Sequence, residues 1–202
     1  MTRPVLLATR SEGKLRELRP LFTALGFEVI DLEGGGLPES AAEEGLEQFE
    51  SFEENALAKG RYFSSLSGLP VVADDSGLEV RALGGAPGVH SKRWSGRTDL
   101  RGDALDAENN ALLLRSLGAS TDRAARYVCA AAFVDGEREI VRRGDATGRI
   151  VIAPRGTGGF GYDPYFESDA LSHTFGEVST AEKERVSHRA RAFCALIEAL
   201  RR

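Results

Sequence analysis

Two adjacent carboxylates, Asp74 and Asp75, directly follow the short apolar run Val71–Ala73. Such a run predicts a buried strand, and the Ser76-Gly77 pair predicts that the chain turns after the carboxylates. Two carboxylates at the exit of a buried strand are unfavourable unless a cation satisfies them. Their oxygens suit a hard cation such as Mg²⁺, which usually completes its shell with waters and phosphates. An ordinary β-turn is the alternative interpretation, because Asp, Ser and Gly are common turn residues.

A candidate phosphate site lies near the start, where the apolar run Val5–Ala8 is followed by the polar segment Thr9–Lys14. Apolar residues then recur at helical spacing from Leu15 on, so the predicted order is strand, turn and helix. The free N–H groups of a helix start, together with the charge of Lys14, are typical of phosphate binding. The segment is not a Walker A loop, since Ala8 and Leu15 stand where that motif needs Gly and Ser or Thr. A capped helix start with a solvated lysine is an equal alternative.

A third candidate is Lys59, in a helix that the Ser51–Glu54 capping-box pattern predicts to begin at Ser51. Its spacing from the apolar residues of that helix places it on the inward face, although such a lysine often extends to solvent. The preceding segment, Asp31–Gln48, is acidic and contains three successive glycines. This composition predicts a mobile loop whose carboxylates are mostly solvated.

The densest glycine stretch, Pro154–Pro164, reads PRGTGGFGYDP. Glycine allows backbone conformations that bring a loop close to a ligand. Phe160 and Tyr162 offer flat faces for stacking a base, and Asp163 offers an acceptor to the base edge. A flexible surface loop is the alternative, but two aromatic residues and two prolines favour a binding loop.

Two helix starts are predicted near the end of the chain. Ser179 with Glu182 forms a second capping box beside Lys183, and Ser187 is a further N-cap candidate. An apolar stripe, which leaves His188 and Arg189 outside it, is predicted to pack inward, with members Val186, Ala190, Phe193, Ile197 and Leu200. An anion or a base edge could bind His188 and Arg189, although a solvated face is the more common role of such residues.

Length and composition limit the class of protein. A chain of 202 residues with 42% hydrophobic residues predicts one domain over residues 1–202, built either as one large body or as two small lobes around one site. The net charge of −5 argues against a nucleic-acid polymer as partner, and no apolar run is long enough for a membrane span or signal peptide. Cys129 and Cys194 lie in apolar surroundings without metal-ligand spacing, which predicts buried, reduced thiols in a cytoplasmic protein.

The order of the segments predicts an α/β fold in which a mixed sheet is flanked by helices. Strands alternate with helices at first, and Leu78–Leu83 reads as extended. Asp135-Gly136 then predicts a hairpin with Glu139–Arg142 as its second strand. Gly148–Ala153 is predicted as another, separate strand.

Six ordered blocks of the chain resemble the Ham1/inosine triphosphatase family of non-canonical purine nucleoside triphosphate pyrophosphatases. They are VLLATRSEGKLREL, FEENALAKG, LPVVADDSGLEV, LGGAPGVHSKRWSG, GRIVIAPRGTGGFGYDPYF and TFGEVSTAEKERVSHRARA. The resemblance implies an elongated mixed β-sheet flanked by helices, two lobes with the active-site cleft between them, and a homodimer. It also implies Mg²⁺-dependent hydrolysis of XTP, ITP or dITP to the monophosphate and pyrophosphate.

By the same resemblance, Asp75 is the catalytic carboxylate and holds the metal with Asp74 and a loop glutamate. Counting back from Asn55 without gaps makes that glutamate Glu47, and a short insertion would make it Glu44. The lysines, Lys183 among them, would stabilise the leaving group. The implied substrate-binding residues are Thr9, Arg10, Ser11, Glu12, Gly13, Lys14, Lys59, Ser76, Phe160, Gly161, Tyr162, Asp163, Lys183, His188 and Arg189. Ser11 stands where the family commonly has Asn, and its shorter side chain spans less distance.

Two other functions use the same residues. A nucleotide sensor would bind without turnover, although the intact Asp-Asp pair argues against it. A house-cleaning pyrophosphatase for other modified or pyrimidine nucleotides is the second, because stacking on Phe160 does not by itself select a base.

Overall fold

The structure, a computed structural model, describes residues 3–201, so residues 1, 2 and 202 of the predicted domain lie outside it. The strands are β1 (Arg3–Leu7), β2 (Phe27–Asp31), β3 (Val71–Val80), β4 (Ala124–Asp135), β5 (Arg138–Ile150) and β6 (Phe166–Ser168). The α-helices are α1 (Glu12–Thr23), α2 (Phe52–Ser67), α3 (Gly102–Leu117), α4 (Thr180–Val186) and α5 (His188–Leu200). Short 3₁₀ helices cover Ala41–Gly45, Arg81–Leu83 and Gly88–Arg93.

The strands form a mixed six-stranded sheet in the order β2-β1-β3-β4-β5-β6. Strand β1 pairs in parallel with β2 and β3, whereas β6 pairs antiparallel with β5. The turn between β4 and β5 is the hairpin that Asp135-Gly136 predicts. The mixed sheet with its helices confirms the predicted α/β fold class. No helix within residues 3–201 has the length and apolar character needed to cross a membrane.

Contacts divide the chain into two compact units. The first contains the described residues up to Asp75, Ala130–Arg143 and those from Ala192 onward, and the second contains Ser76–Cys129 and Gly144–Arg191. Buried side chains of the first unit form a cluster of Leu6, Ala8, Leu32, Phe63, Val71 and Ala73. The second unit has its own cluster, which includes Leu78, Val80, Leu113, Tyr127, Ile150, Tyr162, Phe166 and Phe175.

Helix α2 begins where its sequence predicts. The Ser51 side chain accepts a hydrogen bond from the Glu54 N–H at 3.2 Å, and Gly68 ends the helix in the left-handed conformation. Within the helix, a Cβ at Gly60 would lie 2.7 Å from Val134 Cγ2. Glycine therefore lets α2 approach β4 closely in the first unit.

Strand β3 is longer than predicted. It continues through Asp74, Asp75, Ser76 and Gly77 to Val80, so the predicted turn at Ser76-Gly77 is wrong. The reason is tertiary: Leu78 and Val80 are fully buried, and burial overrides the turn preference of Ser and Gly. The pairing of β3 with β1 nevertheless ends at the residue pair Leu7 and Val72. The carboxylates thus lie just beyond the end of β1, in the middle of β3. The predicted extended segment also stops early, because Arg81–Leu83 is a 3₁₀ helix.

Strand β5 is continuous where the sequence predicts two strands. Burial alternates along its second half, with buried Gly144, Ala146, Gly148 and Ile150 separated by more exposed residues. This is the period of a strand, but the small buried residues resemble a turn in the sequence. Gly148 is required there, since a Cβ would lie 2.2 Å from the Glu167 carbonyl oxygen of β6.

Helix α5 buries Phe193 of the predicted stripe, but Ala190, Ile197 and Leu200 are only partly buried. Its buried residues are His188, Arg189, Ala192, Phe193 and Leu196. The expectation that His188 and Arg189 lie outside the packed face is therefore wrong. Cys194 is also exposed instead of buried, whereas Cys129 is buried as predicted. The prediction used residue types and their helical spacing, which cannot show that the side chains of His188 and Arg189 have buried partners.

Candidate active site

The first cluster of candidate residues lies around the middle of β3, in the first unit. Asp74 and Asp75 are only 1% and 6% exposed. Lys14 Nζ lies 2.9 Å from Asp74 Oδ2, and Lys59 Nζ donates to the Asp74 carbonyl oxygen at 2.9 Å. Lys59 also forms an ion pair with Glu47. We call these five residues the carboxylate–lysine cluster.

The charges of this cluster act on one another because they are poorly solvated. Burial raises the pKa of Asp75 to about 6, and the negative charge of Glu47 adds to that rise. Lys59 and Lys14 oppose it. Burial alone would lower the pKa of Lys59, but Glu47, Asp74 and Asp75 raise it overall. Lys59 therefore stays charged, while Asp75 titrates near the pH at which a general base works best.

Asn55 belongs to this cluster, although the sequence analysis gave it no role. Its fully buried Nδ2 donates to Asp75 Oδ2 at 3.0 Å and to the Phe49 carbonyl oxygen at 3.1 Å. The Phe49 N–H in turn donates to Asn55 Oδ1 at 2.9 Å. Asn55 thus ties the segment before α2 to the Asp75 carboxylate. Its position one helical turn before Lys59 was the available signal.

The segment Thr9–Lys14 forms the start of α1, as predicted. Ser11 is the N-cap, and its Oγ accepts from the Lys14 N–H at 3.4 Å. The Ser11 N–H donates to Thr9 Oγ1 at 3.1 Å. Arg10 makes a two-pronged pair with Glu43, through Nε at 3.1 Å and Nη2 at 2.7 Å. Glu12 is exposed and Gly13 half-buried.

The structure places Glu47 and Glu44 differently. Glu47 pairs with Lys59 and its charge affects Asp75, whereas Glu44 is an exposed residue of the 3₁₀ helix Ala41–Gly45. The same 3₁₀ helix gives regular structure to part of the segment predicted as a mobile loop. Of the two glutamates, Glu47 is the one that the geometry favours for the cluster.

The donor set of this cluster fits a hard cation. Among residues 3–201, no group of three or more His, Cys, Asp and Glu side chains is arranged to hold a metal ion. A cage made only of protein is not required, because Mg²⁺ commonly uses one or two carboxylates and takes its other ligands from water and phosphate. The cluster holds three carboxylates, Asp74, Asp75 and Glu47, against two lysines, so its negative charge is incompletely compensated. A cation bound by carboxylate oxygens would relieve it.

The second cluster lies in the second unit and surrounds the ring of Phe160, which is 38% exposed. Lys183 Nζ lies 4.8 Å from the ring centroid, and Arg189 Cζ lies 5.7 Å from it. Arg189 Nη2 also donates to Ser76 Oγ at 3.1 Å. We call Phe160, Asp163, Lys183, Arg189 and Ser76 the aromatic cluster.

Asp163 and Lys183 hold this cluster together from within. Both side chains are buried, and Lys183 Nζ lies 2.8 Å from Asp163 Oδ2. The same oxygen accepts from the Phe160 N–H at 2.9 Å. Asp163 Oδ2 is thus engaged within the protein, and the expectation that Asp163 offers an acceptor to a base edge stays a prediction. Lys183 pairs with Asp163 inside the aromatic cluster, and its assignment to the leaving group stays a prediction.

Two further predicted residues are core residues. Tyr162 is buried, and its hydroxyl donates to the Ser91 carbonyl oxygen at 2.7 Å. The prediction that its ring offers a stacking face is wrong, and Phe160 carries the exposed ring of the pair. His188 is buried and stacks on Tyr127, with ring centroids 4.6 Å apart and an interplanar angle of 9°. Burial and the charge of Asp163 raise the pKa of Tyr127, so its phenol stays protonated.

Each cluster has a recognisable chemistry. Buried carboxylates beside lysines are suited to a cation and phosphates, and an aromatic ring beside cationic side chains is suited to a base. Asp75 and Ser76 belong to different clusters but are consecutive in the chain. An α/β protein with these two clusters belongs to the class that handles nucleotides.

Comparison with known proteins gives the family. A model described as the Ham1 family matches residues 5–199. The "dITP/XTP pyrophosphatase" of Ralstonia nicotianae is 46% identical over 98% of this chain and 97% of its own, and that of Mycobacterium tuberculosis H37Rv is 49% identical over 98% and 95%. A solved Ham1 protein from Coxiella burnetii superposes with a TM-score of 0.85 at 33% identity over 98% of each chain. A Mycobacterium abscessus nucleoside-triphosphatase / dITP/XTP pyrophosphatase does so with a TM-score of 0.75 at 42% identity over 98% and 99%. The chain belongs to the Ham1 family.

Proposed function

We propose that this protein hydrolyses non-canonical purine nucleoside triphosphates, XTP, ITP and dITP, to the monophosphate and pyrophosphate. The observation that carries the proposal is the carboxylate–lysine cluster, in which two buried aspartates lie beside two lysines. Relatives that match nearly the whole chain are named dITP/XTP pyrophosphatases, which supports the same substrate class here.

The proposed reaction is attack of a water oxygen on the α-phosphorus. The bond from that phosphorus to the oxygen bridging to the β-phosphorus breaks, and pyrophosphate leaves with the bonding electron pair. Asp75 accepts the proton of the water as the general base. Lys14 and Lys59 stabilise the negative charge that develops on the leaving group.

Mg²⁺ is the proposed metal, with Asp75, Glu47 and Asp74 as the residues that would hold it. When bound, Mg²⁺ would neutralise phosphate charge and make a coordinated water more acidic. Lys14 and Lys59 pair with these same carboxylates, so part of the compensating charge is already present in the protein. Activity in excess chelator equal to that with Mg²⁺ would contradict this assignment.

The aromatic cluster is the proposed base site. Phe160 stacks the purine, and the guanidinium of Arg189, which lies beside that ring, donates to the 6-oxo group. Adenine presents an amino group at the same position, where a second donor would be unfavourable. His188 is buried against Tyr127, so we propose that it supports this edge of the pocket through its packing. The proposed setting is a cytoplasmic homodimer that acts on free nucleotides, not on a nucleic-acid polymer.

One assay tests the proposal against its alternatives. Purified protein is incubated with ITP, XTP, dITP, dUTP or ATP, with Mg²⁺ or chelator, in water enriched in ¹⁸O. We expect pyrophosphate, with the label in the monophosphate and the 6-oxo purines turned over fastest. Faster turnover of dUTP would favour a pyrimidine pyrophosphatase, tight ITP binding without turnover would favour a sensor, and label in pyrophosphate would refute attack at the α-phosphorus.

A further inference from the structure

Two side chains of helix α3 form hydrogen bonds with both backbone groups of Gly161, the glycine that follows Phe160. The Gly161 N–H donates to Asp106 Oδ2 at 2.7 Å, and the Gly161 carbonyl oxygen accepts from Asn110 Nδ2 at 2.8 Å. Asp106 and Asn110 are four residues apart, so they project from the same face of α3. One helical turn therefore offers a matched acceptor and donor to a single peptide segment.

The orientation of the Asn110 amide follows from its surroundings. Nδ2 donates to two carbonyl oxygens, those of Gly161 and Asp106, the latter at 2.8 Å. The opposite orientation would set the amide oxygen against both carbonyls, which is repulsive. Asn110 is buried, so these bonds face little competition from water. A carboxylate at this position could not replace them.

These hydrogen bonds fix the conformation of a segment whose glycines would otherwise leave its backbone flexible. Gly159 and Gly161, on either side of Phe160, have φ values of +73° and +63°. Glycines visit many conformations, so the ring would have no defined position without external anchors. The Phe160 N–H is anchored on Asp163 and both backbone groups of Gly161 are anchored on α3. Together they hold the exposed ring in place before any ligand arrives.

We propose that Asp106 and Asn110 are positioning residues for the nucleotide base, which act through the Phe160 ring. They contact the loop and not the ligand, and they lower the entropy that the loop must lose when a base stacks. The inference rests on the proposed function, in which Phe160 stacks the base. Losing either anchor raises KM for every nucleotide and leaves kcat and the preference among bases nearly unchanged.

The next residue of α3 provides a matched control. Asn109 is buried like Asn110, and its Oδ1 accepts from the Ser95 N–H at 2.7 Å. Its Nδ2 donates to the Lys92 carbonyl oxygen at 3.0 Å. The same kind of side chain on the same helix, Asn109, thus holds a different segment, Lys92–Ser95. Asn109→Ala removes equivalent bonds and leaves both α3 anchors of Gly161 in place.

The experiment measures the melting temperature, kcat and KM for ITP in four single variants. Asp106→Ala and Asn110→Ala are expected to raise KM about three- to tenfold, the effect of one lost hydrogen bond. Asp106→Asn keeps an acceptor for the Gly161 N–H and should restore most of the lost affinity. Asn109→Ala should lower the melting temperature about as much as Asn110→Ala and leave KM within twofold of wild type. An equal KM rise in Asn109→Ala would overturn the inference, because general destabilisation would then explain it.

A double-mutant cycle separates this inference from the proposed function. Phe160→Ala should raise KM by itself, and adding Asp106→Ala or Asn110→Ala should then raise it no further. If the α3 variants raise KM as much without the ring as with it, they do not act through Phe160 and the inference fails. If Phe160→Ala raises KM but neither α3 variant does, the inference alone fails. If Phe160→Ala leaves KM unchanged, base stacking fails and the inference fails with it.

Discussion

The carboxylate–lysine cluster and the aromatic cluster differ in the contacts that hold them. The first consists mainly of paired charged side chains, such as Lys14 with Asp74 and Lys59 with Glu47. The second has one such pair, Lys183 with Asp163, but its Phe160 loop is fixed by side chains bonded to loop backbone, from Asp163 to Phe160 and from α3 to Gly161. Charged partners can be exchanged for a cation or a phosphate, whereas backbone anchors keep their geometry. Under the proposed function, this contrast predicts a phosphate-binding cluster that reorganises and a base-binding cluster that is organised before the ligand binds.

The largest effect is expected at Asp75 in the first cluster. Asp75→Asn keeps the shape and the hydrogen bond from Asn55 but removes the charge that, in the proposed mechanism, holds the metal and accepts the proton. We expect ITP turnover to fall by about 1,000-fold or more, in the range for a lost catalytic base and charge. Pyrophosphate release measures this, and equilibrium ITP binding shows that the site is intact. Turnover within a few-fold of wild type would contradict the assignment of the catalytic step to this cluster.

In the second unit, the glycine-rich loop should be intolerant of any side chain at Gly156. A Cβ there would lie 2.0 Å from the Gly176 carbonyl oxygen, and φ is +76°. Gly156→Ala should destabilise the protein by about 2–4 kcal/mol, because both backbone strain and a clash arise. Gly96 is the control, since its φ is +70° but a Cβ would meet nothing within 4 Å. Urea unfolding of both alanine variants should show a clearly smaller loss for Gly96→Ala, and equal losses would contradict the close approach.

The first cluster also makes a pH prediction for metal-free protein. The pKa of Asp75 is raised to about 6 in the folded state, above its ordinary value. The folded protein therefore binds more protons than the unfolded chain between about pH 4 and 6, so this group lowers stability as the pH rises. At pH 8 the loss is at most about 3 kcal/mol. In chelator, Asp75→Asn should be more stable than wild type at pH 8 and equal to it at pH 4, as measured by urea unfolding. A variant less stable than wild type at pH 8 would contradict the assigned cause.

The sequence predicted the residues of both clusters better than their roles. Asp75, Lys14 and Lys59 lie together because local patterns, a strand, a capped helix start and a helical face, set their positions. The stacking role predicted for Tyr162 is wrong because its residue type suits a ligand equally well, and only tertiary contacts show that its ring is buried.

Other features could not be predicted from the sequence for related reasons. The length of β3 depends on burial of Leu78 and Val80 in the second unit, which overrides the local turn residues. Asn55, Asp106 and Asn110 act through contacts with distant segments of the chain. Asn55 had one local signal, its position one helical turn before Lys59. No local pattern indicates the contacts of Asp106 and Asn110, because a polar residue on a helix usually faces solvent.

The most direct test of the division between chemistry and base selection is the ratio of kcat/KM for ITP to that for ATP. It is measured in wild type, in Arg189→Ala from the aromatic cluster, and in Asn55→Ala, which loses the hydrogen bond to Asp75. We predict that the ratio falls about tenfold in Arg189→Ala, as expected for a lost hydrogen bond from a charged donor. In Asn55→Ala both substrates should slow together and the ratio should stay at the wild-type value. An unchanged ratio in Arg189→Ala, or a fall of similar size in Asn55→Ala, would contradict this division.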